Sequence, residues 1–308
     1  MPPIEARVKD LLDETRLAML GTQLLLGLQY RAVFSARFTR LPQALQMLDC
    51  LALLCILATA GLLLATPCFH QIAEGGHATE RLVRRASKGL EVALLPLTVA
   101  LGSDVAIAFQ PHAGAMVAAI AGGTFVLAAI LIWYGVPACS PLRRKPREDL
   151  VQDRQQSLEA RIVQALTELR VVLPGAQALF GFQVSAVLTE RFADISEVSQ
   201  AVHLASTGLV VIAIILLLAP ASYHRIAASG EAEESVLRYT VRMMLPAEGL
   251  IAVALIGDAY VTLRMVIGDA VMAAVLSGAA AVGFALLLYG LPIAARMRKQ
   301  RRTLMAAG

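Results

Sequence analysis

Eight stretches of this chain approach the ~20 apolar residues that a helix needs to cross a bilayer core. Four lie in the first half, at Leu17–Ala36, Ala44–Thr66, Gly89–Phe109 and Gly114–Val136. Four lie in the second, at Val171–Leu188, Val198–Pro220, Leu245–Leu263 and Ala270–Leu291. Only 16% of the residues are charged, where a soluble domain carries about 25%. The runs are continuous and rich in Ala and Leu, without the alternation a membrane β-barrel requires. The expected fold class is all-α: a polytopic membrane protein of eight transmembrane helices.

The eight runs are two sets of four. "LLLATPCFHQIA" from Leu62 returns as "LLLAPASYHRIA" from Leu216, 154 positions on. At the same offset "IEARVKDLLDETRLAML" from Ile4 meets "LEARIVQALTELRVVLP" from Leu158, and "GTQLLLGLQ" from Gly21 meets "GAQALFGFQ" from Gly175. Asp104 meets Asp258, and after a one-residue slip Tyr134 meets Tyr289. The expected organisation is a four-helix repeat over 1–137, a basic linker over 138–157, a second repeat over 158–293 and a basic tail over 294–308. An even number of crossings makes the repeats parallel, not inverted. Each repeat opens with an amphipathic segment whose apolar face (Val8, Leu11, Leu12; Ile162, Ala165, Leu169) suits a helix lying on the membrane surface.

Basic residues set the orientation. With the N-terminus inside, 22 of the 27 Lys and Arg fall on cytoplasmic segments, including "RRKPR" from Arg143 and the tail "RMRKQRR". Both termini are therefore expected in the cytoplasm of a bacterial inner membrane. The first helix is expected to serve as its own insertion signal, because the first apolar run is long and lacks a small-residue cleavage pattern. Topology and attraction to anionic headgroups account for the positive charge, so no nucleic-acid partner is expected. The four cysteines show no metal-ligand spacing and read as small apolar fillers. No phosphate loop or catalytic triad pattern occurs, so neither an enzyme, a metal nor a cofactor is expected.

The chain resembles a family of bacterial four-helix integral membrane proteins of unknown function, which carry an "LLxELRVxxxGxQxLFxF" opening, then "RF" and a later "LLxAPxxYHR". The second half matches closely through "ALTELRVVLPGAQALFGFQ", "RFADIS" and "LLLAPASYHRIA". The first half matches more loosely, with Phe69 where the second has Tyr223. The resemblance implies a tandem fusion of a unit that usually stands alone. Some members carry a provisional sodium:proton antiporter label.

Polar side chains inside a bilayer are functional candidates. Asp104 and Asp258, each near the outer end of the third crossing of its half, are the ion- or proton-coupling candidates. Arg16 and Gln23, repeated as Arg170 and Gln177, form a helix stripe that serves either as a packing seam or as a pathway wall. Glu91 and Glu248 lie near the inner ends of the third crossings, with Arg16–Glu91 and Arg170–Glu248 as expected buried pairs. His70 and His224, beside Pro67 and Pro220, read as a helix-exit signal at the cytoplasmic interface, or else as a point of proton entry. Two functions fit: a small transporter or ion pathway for a monovalent cation or proton, or a non-transporting scaffold, stress-response or lipid-interacting protein. Either could assemble as a homo-oligomer.

Overall fold

The computed structural model describes residues 4–139, 158–226 and 234–307, and every regular element among them is helical. In the first half, α1 (Ile4–Ala32) and α2 (Gln43–Ala73) are joined through a 3-10 turn at Phe38–Arg40. They are followed by α3 (Glu80–Pro111) and α4 (Ala113–Cys139). In the second half, α5 (Leu158–Val187), a one-turn helix at Glu190–Asp194 and α6 (Glu197–Ile226) precede α7 (Glu234–Ile267) and α8 (Ala270–Arg301). The linker at 140–157 lies outside the described residues.

Six helices (α2, α3, α4, α6, α7 and α8) are long and apolar enough to cross a membrane, and the chain is a multi-pass membrane protein. The expected count was eight. α1 and α5, at 29 and 30 residues, have the length but not the apolar composition, because each opens on charged turns (EARVKDLLDETR, EARIVQALTELR) and carries glutamines further on. They pack against each other, and Gln23, Gln29 and Gln183 are buried in protein.

The expected surface helices do not exist as separate elements. Each amphipathic segment runs unbroken into the following apolar run, and its apolar face is covered by protein. Val8 and Leu12 pack on Phe69, Ala73, Leu82 and Val83; Ile162 and Ala165 pack on Val236 and Leu237. Leu82 and Val83 correspond to Val236 and Leu237 at the repeat offset, so both copies solve the burial in the same way.

The prolines do not end their helices either. Pro67 and Pro220 lie inside α2 and α6, which continue for several residues. A mid-helix proline removes one backbone hydrogen bond, a loss that tertiary packing of the surrounding turns can offset. α2 stops instead at Gly75 and Gly76, whose φ values of 62° and 76° suit glycine, with Gly76 N–H donating to the His70 carbonyl at 3.1 Å.

The frame repeats in detail. The chain turns from α3 into α4 through Gly114 (φ 79°), at the start of α4, and from α7 into α8 through Gly268 (φ 77°), the same repeat position. A π turn interrupts α4 at Leu131–Gly135 and α8 at Leu286–Gly290. Its tyrosine ties back to the preceding helix in both halves: Tyr134 donates to the Glu91 carbonyl, and Tyr289 to the Leu245 carbonyl at 3.1 Å.

The halves join through small residues. Gln23 of α1 covers Gly175 of α5, and Phe182 of α5 covers Gly27 of α1. Those contacts advance together along both helices, so α1 and α5 are parallel. α8 packs across α2, where Gly61 receives the ring of Phe284. The corresponding positions, Ile215 and Ala129, offer neither the gap nor the ring, and α4 makes no comparable contact with α6.

Candidate functional site

Asp258 lies on α7, 1% exposed, and two side chains of its own half converge on it. Gln183, near the end of α5, donates its amide to Oδ2 at 2.6 Å. His203, on α6, brings Nδ1 to 2.9 Å from Oδ1. The other ring nitrogen, Nε2, lies 3.1 Å from the Gln183 carbonyl. A carbonyl only accepts, so Nε2 is inferred to carry a hydrogen. A neutral ring in that tautomer would aim its Nδ1 lone pair at a carboxylate oxygen. The approach of Nδ1 to Oδ1 is therefore favourable only when one of the two carries a proton, and Oδ1 has no other hydrogen-bond partner among the described residues.

The cluster is sealed at the end of the spans where α1 and α5 finish. Phe34, from just after α1, and Phe192, from the one-turn helix, stand 6.0 and 5.5 Å from the His203 ring, centroid to centroid. Beyond them opens a vestibule of about 690 Å³ lined by Phe34, Glu190, Arg191 and Asp194. Tyr30 of α1 donates to the Leu255 carbonyl at 2.8 Å, one turn before Asp258, so the first half contributes to the wall.

The first half holds the same amide and carboxylate, with Gln29 donating to Asp104 Oδ1 at 3.1 Å. The repeat offset carries His203 onto Asp49, which is buried on α2 and interacts electrostatically with Asp104. Asp104 itself is half-buried. Phe38 repeats Phe192, but Phe34 corresponds to Leu188, 81% exposed, so this cluster has no matching lid.

Two partners of each expected carboxylate were missed. Gln29 and Gln183 close the aligned phrases "GTQLLLGLQ" and "GAQALFGFQ", so their signal was present. Asp49 and His203 differ in type, and only the offset pairs them. Arg191 and Arg264, near this end of the spans, do not reach the carboxylates: Arg191 donates to the Ser35 carbonyl at 3.4 Å, and Arg264 to that of Gly268.

Other expected groupings separate. Gln23 is fully buried in the seam, but Gln177 is exposed, so the glutamine stripe is not shared by the two copies. Arg16 and Glu91 do not pair, because Glu91 is exposed on α3, away from the face that buries Ala93 and Ala100. The side chain of Arg170 lies outside the described residues. Glu248 is fully buried on α7 and accepts the Cys68 thiol at 2.6 Å, so Cys68 is a hydrogen-bonding bridge between halves and not an apolar filler. His70 is buried within α2 beside Gln71, with 3.4 Å between Nδ1 and the amide, while His224 is half-buried. Among the described residues, no three His, Cys, Asp or Glu side chains converge as a metal centre would require.

The model of a family of unknown function, DUF6328, matches residues 4–137 and again 152–292. No curated protein and no solved structure matches the chain. The matched segments coincide with the two helical halves, each with its own amide–carboxylate pair. The chain belongs to that family and carries its unit twice.

Proposed function

We propose that the protein is a proton-coupled cation pathway of a bacterial inner membrane, working at one carboxylate cluster in each half. In this reading α1 and α5 also cross, giving two parallel four-helix units with the termini and the basic linker in the cytoplasm. Their length supports this, as does the burial of Met19, Leu26 and Leu179 between other spans.

The observation that carries the proposal is Asp258, withdrawn from solvent with His203 Nδ1 2.9 Å away, an approach that one proton on either group makes favourable. Ionisable groups in this position are costly and mark ion or proton routes. Uptake or loss of that one proton makes or breaks the contact, which couples protonation to the position of α6 against α7. Displacement of Phe34 would join the outer vestibule to His203. On the inner side, an opening of about 930 Å³ between the ends of α2, α7 and α8 includes Val241, which is two helical turns from Glu248 and on the same face. In the first half two carboxylates meet without a histidine, a pairing that a proton or a monovalent cation would relieve.

The test is purified protein in liposomes, with a pH-sensitive dye inside and the outer monovalent cation varied. Asp104→Asn plus Asp258→Asn keeps size and a hydrogen-bonding oxygen but removes the titrating carboxylate that both halves place at this position. The double variant should fold and lose pH-dependent flux. Either single change is fatal if the halves share one route, and leaves about half the flux if each owns one. Undiminished flux in the double variant would take the route away from these two carboxylates, and no flux in the native chain with any cation would point to a non-transporting scaffold.

A further inference from the structure

At the inner end of the first half, α2, α3 and α8 enclose a groove of about 540 Å³ that the proposed pathway does not use. Its rim is cationic: Arg81, Arg84, Arg85 and Lys88 are spaced i, i+3, i+4 and i+7, which sets them along one face of the first two turns of α3. All four are exposed. Its floor is apolar, with Leu62 of α2, Val92 of α3 and Leu287 of α8 lying deeper along the spans. Arg85 rests on the ring of Phe69, 4.6 Å from its centroid, which holds one cation over the groove mouth.

We infer that this groove binds one anionic glycerophospholipid, its phosphate under Arg84, Arg85 and Lys88 and an acyl chain along Leu62, Val92 and Leu287. Charge and depth fit together: the cations stand at the end of the spans where a headgroup lies, and the apolar wall continues toward the hydrocarbon. A soluble phosphate would use the rim alone and leave the floor unoccupied. The second half shows what the same place becomes without these features. Arg81 and Arg85 are replaced by Ser235 and Tyr239, and Tyr239 stacks on Tyr223 at 4.5 Å, so that two rings meet where Arg85 covers Phe69. The site belongs to the first half alone.

The full chain, purified in detergent and stripped of lipid, should be titrated with phosphatidylglycerol, phosphatidylcholine or glycerol phosphate, reading thermal shift and intact-mass adducts. Phosphatidylglycerol should stabilise and remain bound; the other two should do neither. Each Lys or Arg beside an anionic headgroup is worth about fivefold in binding, so Arg84→Gln plus Lys88→Gln should weaken retention about 25-fold. Both side chains are exposed, so the fold should survive, and Arg238→Gln plus Arg242→Gln in the second half should leave retention unchanged. The assignment fails if phosphatidylcholine binds equally, if glycerol phosphate alone reproduces the shift, or if the second-half variant loses as much as the first.

Discussion

The two halves hold their carboxylates on the same frame but in opposite environments. In the second, Asp258 is buried with a histidine and an amide beneath an aromatic lid. In the first, Asp104 is half open, shares its surroundings with Asp49, and lacks the lid because the position matching Phe34 is the exposed Leu188. The shared parts are those that fix geometry: Gln29 and Gln183, the turn glycines Gly114 and Gly268, and the tethering tyrosines Tyr134 and Tyr289. The divergent parts decide charge. Duplication thus preserved where a carboxylate stands and changed which side chain faces it.

The largest effect should come from exchanging that divergent residue. His203→Asp leaves two carboxylates in the sealed site with one amide donor between them. Breaking a buried pair by removing one partner costs about 3–5 kcal/mol. The reciprocal Asp49→His relieves like charges in the more open site and should shift stability by less than about 1 kcal/mol. Thermal melts in detergent near neutral pH compare the two. Equal losses would mean that the two sites do not differ in the way their burial indicates.

Much of this comparison was legible in the sequence, and its failures have physical reasons. The repeat offset alone placed Asp104 on Asp258, and apolar runs of near-bilayer length identified the class. His203 escaped notice because a lone histidine in an apolar run carries no periodicity, and its counterpart is an aspartate. The amphipathic segments were recognised as faces, but a face does not say whether lipid or protein covers it: Val8 and Leu12 found Phe69 and Leu82. The expected pairing of Arg16 with Glu91 followed from depth. Depth says nothing of azimuth, and Glu91 points away from the core of its half.

The seam between halves gives a smaller effect, and one that is not symmetric. A Cβ at Gly175 would stand 1.2 Å from Gln23 Oε1, whereas one at the matching Gly21 meets nothing within 4 Å. Gly175→Ala should therefore cost about 1–3 kcal/mol through overpacking, and Gly21→Ala almost nothing. Pairing Gly175→Ala with Gln23→Ala should restore most of the loss. Both amide atoms of Gln23 are buried without a hydrogen-bond partner, so that truncation removes little of value. A double variant as unstable as Gly175→Ala alone would show that the strain lies elsewhere than at this contact.

The smallest effect lies at the hairpin turns, which share a glycine and differ in the next residue. Asp269 follows Gly268 and caps α8, its carboxylate accepting the Val271 and Met272 amides at 2.7 and 3.1 Å; Ala115 follows Gly114 and offers no such oxygen. The Met272 and Val271 amides, with Arg264 nearby, hold the Asp269 carboxyl below its ordinary range. A depressed carboxyl contributes stability that is fully present above its unfolded value, about 3.9, and that fades as pH falls through the lower folded value. Acidification should therefore loosen the α7–α8 turn and leave the α3–α4 turn as it was. Hydrogen exchange at Val271 and Met272 reads this directly, referenced to Asp269→Asn, which keeps a capping oxygen that does not titrate. The native chain should lose protection relative to that variant only below about pH 4. A loss of equal size at the α3–α4 turn would assign the change to the bilayer-facing frame that both turns share, and not to the one carboxylate that separates them.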